Sequence, residues 1–305
     1  MQYVSEEVSA RLASHELAYD AVKKALIAAS ESAAIFPVVL GHGSDPSNTY
    51  AVKSSAVADL AGLKVGSFWP GNEARGEPRH NSLILLFDQT CGRIGAAVEA
   101  GKLNAYRTAA ANAVAAQQLA RQDAKTLAIF GAGHQAEYEV RALARVRDLQ
   151  KVLVVTRNTG KGQKFVADLQ AEGINAELAE AEAACRAADI IVTVTPARAP
   201  LFQADWVQPG THVASMGSDS TGKQELPPEL FERARLFCDL PAQSRVIGEF
   251  QHATEGADLT AIGDVLSGRA EGRTSAQQIT VFDSSGLSVQ DLYVAQAILA
   301  LVADG

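Results

Sequence analysis

The sequence predicts an α/β chain in two parts: a doubly wound parallel sheet, and a second α+β domain of antiparallel sheet or partial barrel with helices. Three observations predict it. From Thr126 onward, short apolar runs alternate with helical periods, the pattern of strands joined by crossover helices. Before that point, several strand-like pieces are joined by short polar turns, which suits antiparallel pairing. At the junction, the apolar run Thr126–Phe130 stops at Gly131-Ala132-Gly133-His134-Gln135-Ala136 and passes into an amphipathic stretch with Tyr138, Val140, Leu143 and Val146 on its apolar face. A G-x-G-x-x-A turn in that setting opens the helix of a Rossmann-type unit.

The elements follow in order. Ser5 with Glu6 and Glu7 starts a first helix, and 15–32 continues as a second, with Leu17, Ala21, Leu26 and Ala29 along one stripe. Strands are predicted at 34–40, 48–53, 63–68, 82–88 and 94–99. An Ala-rich helix at 104–120 starts near Arg107. The parallel sheet takes strands at Thr126–Phe130, 152–156, 175–179, 189–195, His212–Ser215, 235–239 and 280–283. The apolar tail 290–302 is one more helix that packs back on the N-terminal part. The domains are therefore 1–115 plus 287–305, and 116–286.

Bulk properties narrow the function. The 305 residues carry a net charge of −8, which argues against nucleic-acid or anionic-membrane partners. No run approaches the ~18 apolar residues of a membrane span. The first residues have neither a basic nor an apolar leader region. Cys91, Cys185 and Cys238 lack metal-like spacing and read as small buried hydrophobes of a reducing compartment, so a cytoplasmic location is expected.

Chemistry starts at the glycine turn. Gly131 permits the tight turn, Gly133 lets backbone N–H groups of His134 and Gln135 approach a pyrophosphate, and the helix dipole favours the negative charge. Cofactor choice is read at the end of the second strand, where an acid selects NAD by accepting from the ribose 2′-OH. Here Thr156-Arg157-Asn158 stands instead, with Lys161 behind it, so NADP(H) is favoured and NAD(H) possible. Lys53 and Lys64 each sit in an apolar strand, as edge charges or as pocket cations. Arg107, read as a first-turn cation, is unfavourable against the helix dipole unless an anion offsets it. Asp219 follows a strand end, where open α/β sheets place their ligands. His80 is a weaker candidate, and with Arg75 and Arg79 it could contact a distal anion.

Taken together, several segments in order resemble the ornithine cyclodeaminase/mu-crystallin family. They are Gly62-Leu63-Lys64, Arg107-Thr108-Ala109-Ala110, the glycine turn, Ala188 to Thr193, Met216-Gly217-Ser218-Asp219 through Gly222-Lys223-Gln224-Glu225-Leu226, and Val281 to Gly286. The resemblance covers nearly the whole chain. It implies a homodimer whose N-terminal domain supplies both dimer interface and substrate pocket. Lys64 and Arg107 would hold a substrate carboxylate, Lys53 would line the pocket, and Asp219, with Lys64, would act at the reacting Cα–N. Thr108, Gly131, Gly133, His134, Gln135, Arg157, Asn158, Thr195, Met216, Gly217 and Ser285 would contact the cofactor, with Thr195 and Ser285 flanking the nicotinamide. Lys64 is followed by Val-Gly-Ser-Phe-Trp-Pro-Gly-Asn rather than the cyclodeaminase Gly-His-Pro-x-Asn. That departure, with Phe68 to Asn72 and Gly248-Glu249-Phe250, favours the imine-reductase and amino-acid-dehydrogenase branch. Its implied substrates are iminosuccinate, pyrroline-2-carboxylate, alanine or arginine. A redox-neutral deaminating lyase and a non-catalytic NADPH-binding protein are the alternatives.

Overall fold

The computed structural model describes residues 1–304. It divides into two compact units: Met1–Arg107 with the chain from Leu287 onward, and Thr108–Gly286.

The first unit contains β1 (Gln2–Val4), α1 (Glu6–Leu12), α2 (His15–Glu31), β2 (Ala34–Ile35), β3 (Val39–His42), β4 (Thr49–Ala56), β5 (Ala61–Phe68), β6 (His80–Asp88) and β7 (Arg93–Glu99). The sheet runs β1-β7-β6-β5-β4-β2, with β3 also on β4, and only β1 pairs in parallel. Neighbours in the meander β4 to β7 pair antiparallel. The strand expected at 34–40 is broken into β2 and β3, and Pro37 between them has no N–H to give a ladder. Strand β1, not anticipated, has three residues, too few to show a period. Ser5 and Ser14 accept N–H bonds that cap α1 and α2. On α2, Ala18, Ala21, Val22, Ala25, Leu26 and Ala29 are buried at helical spacing.

The next helix, α3 (Gly101–Leu119), begins earlier than expected. Its start is capped from a distance: Glu6 accepts from Gly101 N at 2.7 Å and from Lys102 N at 2.8 Å. Arg107 is therefore in the second turn, and the dipole penalty expected of a first-turn cation falls away, since that effect is confined to the end of a helix.

The second unit carries β8 (Thr126–Phe130), α4 (His134–Val146), β9 (Lys151–Val155), α5 (Thr159–Ala171), β10 (Ala176–Leu178), α6 (Ala181–Ala187), β11 (Ile190–Thr193), β12 (His212–Ser215), β13 (Ala234–Cys238), α7 (Pro241–Ile247), β14 (Leu259–Ala261), α8 (Ile262–Leu266) and β15 (Ile279–Asp283). All its pairings are parallel, in the order β10-β9-β8-β11-β12-β15-β13-β14. The chain reverses its direction of winding between β8 and β11, the switch point outside whose strand ends a ligand crevice forms. The strand predicted at 189–195 starts one residue later because Asp189 does other work. Its carboxylate accepts from Lys125 N at 2.9 Å, Thr126 N at 3.0 Å and Arg121 Nη2 at 2.5 Å, fastening the entry to β8. The C-terminal helix α9 (Ser288–Asp304) belongs to the first unit, where it packs on α2 and across β4, β5 and β6.

Cys185 and Cys238 are buried as expected, and burial pushes the Cys185 thiol up to about 12. Cys91 is not: it lies exposed in the tight turn between β6 and β7. Among the described residues no helix is long and apolar enough to cross a membrane.

Candidate active site

In the first unit, register brings the predicted cations together. Lys53 on β4 stands directly opposite Lys64 on β5, and Lys64 opposite Ile84 on β6, so all three share one face. Both lysine strands have partners on each side, which removes the edge-charge reading. Like charges placed opposite one another are unfavourable without compensation. Compensation comes from α9, where Lys64 Nζ lies 2.9 Å from both carboxylate oxygens of Asp291. Arg107 Nε donates to the same carboxylate at 2.9 Å. Asn104 Oδ1 joins them, accepting from Lys64 Nζ at 2.8 Å and from Arg107 Nη2 at 3.1 Å.

The group is dry: Lys64, Arg107 and Asp291 are 5%, 7% and 1% exposed. Burial lowers the Lys64 pKa to about 7, helped by Arg107 and Lys53 and opposed by Asp291. Burial also pushes the Asp291 carboxyl upward, but Lys64 and Arg107 outweigh it and hold it below its ordinary value. Beside them, Gln290 Oε1 accepts from Arg107 Nη1 at 3.5 Å, while its buried Nε2 has no partner.

Gly66, on the lysine face, leaves room beside the ammonium: a Cβ there would come 3.8 Å from Lys64 Cε. His80 pairs in register with Phe68, with ring centroids 4.7 Å apart. It shares the lysine face but sits four residues along β6 from Ile84, about 13 Å away at the strand rise. Arg79 is held by Glu73 at 3.3 Å on the surface, and Arg75 is exposed in the short helix Pro70–Arg75.

In the second unit, the glycine turn has the backbone its motif predicts. Gly131 takes φ +123°, and a Cβ there would come 2.9 Å from Val194 O. Gly133 is the N-cap of α4, no side chain caps that helix, and a Cβ on Gly133 would meet nothing within 4 Å. An uncapped thirteen-residue helix behind an open glycine cradle fits a dinucleotide pyrophosphate. The side chains of the motif are turned to other tasks. Gln135 Nε2 donates to Glu139 at 2.9 Å, and His134 packs edge-on against Tyr138. At the end of β9, Arg157 is exposed and Asn158 Oδ1 caps α5 by accepting from Lys161 N at 2.9 Å. Thr108 is half-buried on α3, next in sequence to Arg107.

The loops after β11 and β12 converge on an acid that sequence reasoning quoted without a role. Glu225 Oε1 accepts from Thr195 N at 2.6 Å and Thr195 Oγ1 at 2.8 Å. Its Oε2 accepts from Thr193 Oγ1 at 2.9 Å, Ser215 Oγ at 3.0 Å and Gly217 N at 2.8 Å. Gly217 must be glycine, because a Cβ would fall 2.2 Å from Thr195 O. Met216 is buried, with its N–H on Thr193 O at 2.8 Å. Asp219 projects from this loop, its side chain about half exposed, with Lys223 Nζ at 2.5 Å. Ser285, after β15, accepts from Gln243 Nε2 at 2.9 Å. Asp291, Asn104, Gln290 and Glu225 are the residues that sequence reasoning missed or left without a task.

A buried cluster with surplus positive charge in one unit and an open dinucleotide cradle on a parallel sheet in the other define a nicotinamide-dependent oxidoreductase. The chain belongs to the ornithine cyclodeaminase/mu-crystallin family, whose profile matches residues 2–304. It is 39% identical over 311 residues to the iminosuccinate reductase of Paracoccus denitrificans, covering 99% of this chain and 96% of that one. A crystal structure of that reductase with NAD⁺ superposes with a TM-score of 0.92 at 37% identity, covering 100% and 97% of the two chains. An archaeal alanine dehydrogenase dimer with bound NAD gives 0.92 at 32% identity, with the same coverage. The Δ1-pyrroline-2-carboxylate reductase of Thermococcus litoralis with NADH and L-proline gives 0.91 at 27% identity, covering 100% and 98%.

Proposed function

We propose that this protein reduces a 2-imino acid to an L-amino acid with NAD(P)H, or runs the reverse dehydrogenation. The observation that carries the reading is the buried pair of cations, Lys64 and Arg107, that share the single Asp291 carboxylate. A substrate carboxylate would offset that excess, with the guanidinium of Arg107 and the Nε2 of Gln290 as donors. The relatives named above, an imine reductase, an amino-acid dehydrogenase and a cyclic-imine reductase, all handle a carboxylate beside a C–N centre.

Bound cofactor would supply the hydride to C2. Lys64 and Arg107 fix the carboxylate, which orients C2, and such positioning accounts for much of the rate in reactions of this kind. Asp219, on its exposed loop, stabilises the iminium nitrogen, and hydride addition to that iminium gives the neutral amine with no further proton needed. A neutral imine would first take its proton from Asp219 in its protonated form, recharged from solvent. Arg157 in place of an acid at the end of β9 supports NADP(H). The solved relatives carry NAD⁺, NAD or NADH, so both cofactors belong in the assay. Substrate candidates are iminosuccinate, pyrroline-2-carboxylate, and the imines of pyruvate and of the arginine 2-oxo acid.

The protein is a homodimer in this reading. Tyr3, Val39 and Tyr50 are exposed on the sheet face opposite Lys64, as register places them, and the archaeal relative is a dimer. The buried free thiols of Cys185 and Cys238 suit the cytoplasm.

The test is NAD(P)H consumption with 2-oxo acids plus ammonia or methylamine, and with preformed cyclic 2-imines. Turnover with one class supports the reading and names the substrate. Silence across the panel with cofactor bound contradicts it and favours the lyase or binding-protein alternative.

A further inference from the structure

Two buried acids in the second unit have no part in the function proposed above. Glu225 and Glu249 are both 0% exposed, and Ser215 lies between them. Ser215 Oγ is 3.0 Å from Glu225 Oε2 and 3.1 Å from Glu249 Oε2. A hydroxyl has one hydrogen to donate. If both carboxyls were ionised, one of these two contacts would set a lone pair against a lone pair in a dry interior. One carboxyl must therefore carry a proton.

The donor sets decide which. Glu225 accepts from two backbone N–H groups and three hydroxyls. Glu249 accepts from two backbone N–H groups and no hydroxyl besides the shared one: Leu226 N at 2.7 Å on Oε1, and Glu225 N divided between Oε1 at 3.0 Å and Oε2 at 3.1 Å, with Oε2 also facing Ser215 Oγ. Donors stabilise the ionised form, so the charge belongs on Glu225 and the proton on Glu249. The hydrogen bonds then run in one direction, from Glu249 O–H to Ser215 Oγ, and from Ser215 O–H to Glu225. The surroundings agree. Asp283 on β15 also faces Glu249, and burial, with Asp239 beside it, pushes that carboxyl well up too, so it brings no positive charge to Glu249. His252 turns its Nε2 to Lys223 O, and Lys223 Nζ lies on Gly217 O and Asp219. Among the described residues no ion pair reaches Glu225 or Glu249. Burial pushes both carboxyls up, that of Glu249 to about 7.

Glu225 also ties together segments that are far apart in sequence. It grips the loop after β11 at Thr195 and the loop after β12 at Gly217, while Glu249 grips Glu225 and Leu226 by their backbones. We propose that Glu225 is a positioning residue that fastens two cofactor-contacting loops, those of Thr195 and Gly217, and that Glu249 is its proton-bearing partner, whose O–H keeps the clamp closed. The proposal rests on the reading that these loops receive the cofactor. Loss of the Glu249 proton would set two charges against one hydroxyl and loosen both loops.

The probe is NADH or NADPH binding, followed by fluorescence from about pH 6 to about pH 9, with infrared spectra of the cofactor-free protein. Wild type should bind more weakly as pH rises through about 7, by up to about tenfold per pH unit until the loops are free. Glu249→Gln places an amide donor where the acid O–H was, so its affinity should match the low-pH wild type and stay flat with pH. Glu225→Gln turns an amide donor toward the Gly217 or Thr195 N–H and should weaken binding at least about tenfold at every pH. Wild type should show a protonated-carboxyl stretch that Glu249→Gln removes, leaving any contributed by the buried Asp283 in place. Absence of that band from wild type, or identical pH curves for wild type and Glu249→Gln, overturns the proposal. The infrared band needs no cofactor, so it reports on the pair even if neither nucleotide binds, a result that would count against the proposed function instead. If Glu225→Gln does not fold, amide protection at Thr195 and Gly217 in wild type, taken relative to the intrinsic base-catalysed rate, that falls above neutral pH supports the clamp, and protection that is absent or independent of pH overturns it.

Discussion

Replacing Lys64 with Met should change stability in a way that depends on pH. Lys64 has an ordinary pKa of 10.5, and in the fold burial brings it to about 7. Between those values the unfolded chain binds one more proton than the folded one, so this residue makes wild-type stability rise with pH across that window. Below about pH 7 both states are protonated and its destabilising contribution is complete. Lys64→Met removes this titration without stranding a charge, because Asp291 keeps Arg107 at 2.9 Å. At up to about 1.4 kcal/mol per pH unit, with the slope half-developed at pH 7, the stability of the variant relative to wild type should fall by about 2 kcal/mol between about pH 7 and pH 9. Urea unfolding of both proteins at a series of pH values measures it, since titrations common to both cancel in the difference. A difference independent of pH would show that Lys64 keeps an ordinary pKa in the fold, and the dry cation cluster would be refuted. The same variant should raise KM for the imino acid far more than it alters cofactor affinity.

Three further outcomes are expected. Gly217→Ala brings a Cβ to 2.2 Å from Thr195 O and 2.7 Å from Glu225 Oε1, so it should destabilise by about 1–3 kcal/mol and weaken NADH binding, read by melting temperature and fluorescence. Arg157→Asp should shift the ratio of NADPH to NADH dissociation constants toward NADH by at least about tenfold, or about 1.4 kcal/mol. Asp219→Ala should lower kcat by about a hundredfold or more while leaving cofactor affinity near wild type; an unchanged kcat would remove Asp219 from the chemistry.

How much of this was legible in the sequence depended on whether the cause of each feature was local. The strand, glycine turn and helix from Thr126 to Val146 were legible because their period and turn chemistry lie within one short stretch. The strand His212–Ser215 also falls where it was expected. The start of α3 was not, because its cap is Glu6, 95 residues away, where a local Ser, Thr, Asp or Asn would have signalled it. Asp291 was hidden for a similar reason. It is one acid in an apolar tail, and its partners Lys64 and Arg107 lie 227 and 184 residues away. The pairing of Lys53 with Lys64 is a matter of register, which two separate strand patterns do not reveal. Glu225 and Glu249 stood in quoted motifs, but the hydroxyl they share comes from a third segment. Cys91 was misjudged because burial was assigned by residue type, and the turn it occupies put it at the surface.

The central claim is hydride transfer to the C2 of an imino acid, and an isotope decides it most directly. The substrate found in the panel is incubated with NADPH or NADH carrying deuterium at the transferable C4 position, and the amino acid formed is analysed by mass and by NMR. Deuterium at C2 of the product, in step with cofactor oxidation and lost in Arg107→Ala, is the predicted result. Product without deuterium, or formed while the cofactor stays unoxidised, would contradict the account and point to redox-neutral deamination.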